Sequence, residues 1–152
     1  MHDNQPSPLK DTMVKWASVI AMAMLTAYSA HPLLTFLLQF AEDATQGLGN
    51  AFMPLMMGGL FVVFVVAAFR LAPKVGVPLR IELGCRWSGI LMWLTIPLMV
   101  ATVFLVAAQE NGSDQGGAAA AFFMLIIFGG YCAIVGSILL FISEVLRRRR
   151  VG

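Results

Sequence analysis

Four stretches of this chain run for about 20 residues or more without an aspartate, glutamate, lysine or arginine, and a water-soluble domain has no place for them. They cover residues 16–41, 51–69, 87–108 and 117–143. Roughly 20 apolar residues in helical form cross the hydrocarbon core of a bilayer, so all four qualify on length. A backbone in lipid must satisfy its polar groups within its own segment or in a closed barrel. Barrel strands read as about 10 residues of alternating polarity, and "LFVVFVVAAF" at 60–69 does not alternate. Composition agrees, because only 12% of the 152 residues are charged where soluble domains carry about 25%. The sequence therefore predicts an all-α polytopic membrane protein with four transmembrane helices.

Charge orients those helices. Lysine and arginine concentrate in cytoplasmic segments, and all 10 basic residues fall in three places. Lys10 and Lys15 precede the first stretch, Arg70, Lys74, Arg80 and Arg86 lie between the second and third, and Arg147, Arg148, Arg149 and Arg150 follow the fourth. The remaining connections, "EDATQGLGN" (42–50) and "QENGSDQGG" (109–117), hold only acidic charge. An N-in/C-in arrangement satisfies the bias throughout, and Trp16 and Trp87 then sit at inner helix ends, where indoles favour the interface. The stretch "MVKWASVIAMAMLTAYSA" (13–30) also fits a signal peptide cut after Ser29. The apolar run continues through "LLTFLLQF" (33–40), which a mature soluble N-terminus does not need, so an uncut first helix is expected. The expected organisation is a disordered cytoplasmic tail over 1–12, a four-helix transmembrane domain over 13–146 and a basic cytoplasmic tail over 147–152. Pro73 and Pro78 are expected to break the inner loop, 70–87, leaving "LRIELGCRW" as a short amphipathic turn on the membrane surface. A bacterial inner (plasma) membrane is the expected location.

Little in the spans carries chemistry. Ionisable residues inside a bilayer mark relays and ion paths, and His31 alone lies deep within a span. Helix rise places it about 22 Å from Trp16, in the outer third of the core. Thr102 and Tyr131 fall at the same level. A neutral imidazole has one donor and one acceptor, so His31 is expected inside the bundle, bonded to Thr102, Tyr131 or a proline-freed carbonyl. Glu144 stands three and four residues before Arg147 and Arg148, the spacing of an ion pair on one helix face. Haem ligation needs a second histidine within the membrane, and His2 lies in the tail. Cys85 and Cys132 are too far apart for joint chemistry, and no phosphate-binding glycine loop occurs. No catalytic residue, cofactor or metal is therefore assigned. The run Arg147–Arg150 reads as a stop-and-orientation signal that meets anionic lipid headgroups, not as a nucleic-acid site.

Packing and proline patterns are more informative. Gly129, Ala133 and Ser137 repeat every fourth residue, the small-residue spacing that lets helix backbones approach. Gly136, and Gly58 and Gly59 in the second span, extend the same theme. Pro32, Pro54 and Pro97 interrupt the first three spans, each removing a helical hydrogen bond. The expected function is non-enzymatic: a membrane subunit or assembly factor of a larger complex, such as a secretion or conjugation apparatus, partnered by the bilayer and by other subunits or copies of itself. The alternative is a small oligomeric channel or transporter, with His31 and the proline-broken helices lining its path.

Overall fold

The structure, a computed structural model, describes residues 8–45, 50–72, 76–109 and 115–151. They form α1 (Pro8–Thr45), α2 (Phe52–Leu71), α3 (Val77–Gln109), α4 (Gln115–Met124), a π-helical turn (Leu125–Gly129) and α5 (Gly130–Val151). No strand occurs among the described residues. α4, the π turn and α5 are continuous, so the chain has four helical rods, each long and apolar enough to cross a membrane. It is an integral membrane protein by this criterion.

Three boundaries differ from the sequence expectation, each for a local reason. Residues 8–12, expected in a disordered tail, are helical. Pro8 opens α1 where a missing N–H is no loss, and Asp11 in the first turn opposes the positive end of the helix dipole. The expected surface turn at 79–87 is the start of α3. Pro78 occupies the first turn, which tolerates proline, and Gly76 just before it takes φ +85°, a conformation few other residues adopt. At the other end, residues 147–151 of the expected basic tail are helical. Arg147 and Arg148 ion-pair with Glu144 at 2.8 and 2.9 Å, and arginines in a last turn suit the dipole, so α5 continues to Val151. The described part of the 1–7 and 46–49 segments is nil, and the tail residues before Pro8 lie outside the described residues.

The rods form a row rather than a closed bundle. α1 packs on both α2 and α3, and α3 packs on both α1 and α5. α2 meets α3 at only a few positions, and the backbones of α1 and α5 do not approach each other. The spatial order is thus α2, α1, α3, α5. The seam between α1 and α3 is built from small and polar side chains. Buried on α1 are Val19, Ala23, Thr26, Ser29 and Ala30, and on α3, beyond Arg80 and Glu82 at its start, Cys85, Ser88, Met92, Thr95 and Met99. Val19, Ala23, Thr26 and Ala30, and Cys85 through Met99, alternate steps of three and four, the heptad spacing of a helix–helix seam. Ser88 donates to Thr26 Oγ1 across it at 3.4 Å, while the fully buried Ser29 hydroxyl has no partner.

Gly89 and Gly136 make the α3–α5 crossing. A Cβ built at Gly89 would lie 2.7 Å from Leu140 Cγ and 3.0 Å from the Gly136 carbonyl oxygen, and one at Gly136 would lie 3.3 Å from the Gly89 carbonyl oxygen. The two backbones touch there. Gly84 serves the α1–α3 seam in the same way, its missing Cβ leaving room for Met22.

Candidate functional site

Two places concentrate polar chemistry among the described residues. The first is a cleft of about 520 Å³ between α1 and α5, floored by α3. It exists because those outer rods stand on opposite sides of α3. Tyr28, His31 and Phe36 line one wall, Ile127, Phe128 and Tyr131 the other, and Met92 and Met99 the floor. Tyr28 of α1 and Tyr131 of α5 line it from opposite sides, where the two backbones stay apart. Ile127 and Phe128 reach the cleft from the π turn. Such a turn inserts one extra residue into a helix and recurs at functional sites. Its frayed backbone is rejoined by the Gly130 N–H, which donates to the carbonyls of Ile126 and Ile127.

His31 and Tyr131 thus share one cleft, as their matched depth predicts, but the expected hydrogen bond to His31 does not form. Thr102 donates instead to the Leu98 carbonyl of its own helix at 2.9 Å. His31 is exposed to the cleft rather than enclosed. The reason is architectural: a row of helices has no central interior for an imidazole at this position to enter. The cleft offers an imidazole, two phenols and apolar walls. No carboxylate lines it among the described residues.

The second place was not singled out by the sequence. Arg80 is 1% exposed. Its Nε donates to the Leu71 carbonyl at 3.3 Å and its Nη1 to the Ser18 hydroxyl at 3.2 Å. One guanidinium thereby caps the carbonyl end of α2, where a cation also suits the dipole, and fastens it to α1 and α3. Next to it, the buried Glu82 pairs with Arg150 at 3.4 Å. These contacts bring the start of α1, the end of α2, the start of α3 and the end of α5 to one end of the molecule. The amphipathic pattern of "LRIELGCRW" was the available signal, and treating it as a loop concealed it.

The packing candidates divide. Gly136 sits at the α3–α5 crossing. Gly59 touches Leu34 of α1 at ordinary contact distance, whereas Gly58 faces open space. Gly129 is buried, but its near neighbour is Leu125 of its own helix. Ala133 is half-buried and Ser137 exposed. The contacting face of α5 therefore runs through Cys132, Gly136 and Leu140, rotated by one residue from the Gly129–Ala133–Ser137 stripe. α1 and α3 continue through Pro32 and Pro97. Pro54 lies in the first turn of α2, where it starts the helix instead of interrupting it. Arg147 and Arg148 are held by Glu144, Arg150 by Glu82, and Arg149 is exposed.

No protein-family model, curated protein or solved structure matches this chain. Function therefore rests on the residues themselves.

Proposed function

We propose that this protein is a non-enzymatic subunit or assembly factor of a larger membrane complex, held in a bacterial inner membrane with both termini and the α2–α3 connection in the cytoplasm. A secretion or conjugation apparatus is one host of this kind. The observation that carries the reading is the open row. α2 leans almost wholly on α1, and α5 on α3, so each outer rod keeps a long apolar face unused by its own chain. Phe61 and Phe69 of α2 and Ile134 and Phe141 of α5 are among the most exposed large side chains. Lipid covers such faces as well as protein does, and the test must separate the two.

A photoreactive residue placed at each of these four positions in the native host makes that separation. The reading expects discrete adducts containing a second polypeptide at one or both rods, retained after mild-detergent extraction. Lipid adducts alone at all four positions, with a single chain by native mass, oppose it. The cleft around His31 favours a second reading, an oligomeric channel or transporter. Solute flux in reconstituted vesicles that is lost in His31→Leu supports that one.

A further inference from the structure

A second cleft, of about 570 Å³, lies between α2 and α3 over α1. Its volume is that of a small-molecule site. It exists because α2 leans on α1 and meets α3 at only a few positions. Thr26 of α1 lies at its floor, Val62 and Val66 of α2 and Leu83, Trp87 and Leu91 of α3 line its walls, and Arg70 stands at the end where Arg80 meets Leu71. Val62 is eight residues before Arg70, so the apolar part reaches about 12 Å from the cation along the helix. That is close to half of a ~30 Å core, the depth of one leaflet.

The groove has a guanidinium at one end and apolar walls along the rest, with the Trp87 indole midway along them. A glycerophospholipid presents the complementary order of phosphate and then acyl chain. Arg147 and Arg148 are paired with Glu144, Arg150 with Glu82, and Arg80 is buried; Arg70, Arg86 and Arg149 are exposed and form no ion pair with any described residue, and of these Arg70 lines the groove. Basic pockets between transmembrane helices on the basic side of a membrane protein hold anionic headgroups by this complementarity.

We propose that this groove binds an anionic glycerophospholipid from the leaflet at the basic end of the molecule. One acyl chain lies along Val62, Val66, Trp87 and Leu91, and the phosphate pairs with Arg70. The proposal is independent of any protein partner.

Trp87 reports on the site directly. The three tryptophans are Trp16, Trp87 and Trp93, so Trp16→Phe with Trp93→Phe leaves it as the sole fluorophore. This protein is reconstituted into vesicles carrying a chain-brominated phosphatidylglycerol or phosphatidylcholine, and quenching is followed against mole fraction. Phosphatidylglycerol is expected to quench at about fivefold lower mole fraction, the effect of one basic residue near an anionic headgroup. Arg70→Gln removes that preference, while Arg70→Lys and Arg149→Gln keep it. Val66→Phe, which fills the groove, removes it with the charge intact. Equal quenching by the two lipids without the groove substitutions overturns the proposal, and so does a preference that survives Arg70→Gln.

Discussion

Replacing Gly89 by alanine asks whether the α3–α5 crossing is as close as the geometry states. The new methyl would meet Leu140 Cγ at 2.7 Å and the Gly136 carbonyl oxygen at 3.0 Å. Leu140 can change rotamer, but the carbonyl belongs to the helix backbone, so relief requires α3 and α5 to move apart. Overpacking of this kind costs roughly 1–3 kcal/mol. Alanine also improves helix propensity over glycine by about 0.8–1.0 kcal/mol, which partly conceals the cost. Gly58→Ala supplies the control, because Gly58 faces open space and carries the same propensity gain. The difference between the two variants is then the steric term alone, roughly 1–3 kcal/mol. Reversible unfolding in mixed micelles by sodium dodecyl sulfate, followed by helical circular dichroism, reads it as a shift in midpoint. Gly136→Ala should behave like Gly89→Ala, since its methyl would meet Trp93 Cδ1 at 2.9 Å. The double variant should cost less than the sum, because one separation of the helices relieves both contacts. If Gly89→Ala unfolds together with Gly58→Ala, the backbones are not in contact and the description of the crossing is wrong.

Arg80→Met keeps the length of the side chain but leaves the Leu71 carbonyl and Ser18 without their donor; a loss of about 1.5–3 kcal/mol is expected in the same titration, the range for hydrogen bonds to a charged group. A stability unchanged from that of the natural protein would show that Arg80 does not fasten α2. His31→Leu should shift stability by no more than about 0.5 kcal/mol, as for other substitutions outside the packed core. A loss above 1 kcal/mol, with rescue by His31→Gln, would mean that the imidazole holds a structural bond. For topology, Cys85 is a poor reporter because it is only 5% exposed. Cysteines introduced at Ser113 and Arg149 serve instead, and an impermeant thiol reagent added to intact cells should label the first and not the second. The reverse pattern inverts the assigned orientation.

The sequence by itself determined the class of this molecule and the number of its spans. Charge-free stretches such as 51–69 leave the backbone no hydrogen-bonding route in lipid except a helix, and that constraint is local. It also paired Glu144 with Arg147 and Arg148, because residues three and four apart on a helix are neighbours whatever the rest of the chain does. Which face of a helix meets which partner is a different kind of question. The Gly129–Ala133–Ser137 stripe and the contacting face through Cys132, Gly136 and Leu140 differ by a rotation of one residue. In a span that is apolar all round, no polar face marks the difference. The decision fell to Gly89 on another helix, where a second missing Cβ allows contact. His31 shows the same limit. Its depth and its company with Tyr131 follow from helix rise, but its exposure depends on the rods forming a row instead of a bundle. Arg80 is the converse case: a basic residue that reads as a loop charge is drawn into the interior, because only tertiary structure brings the open carbonyl end of α2 and the hydroxyl of Ser18 within reach of one guanidinium.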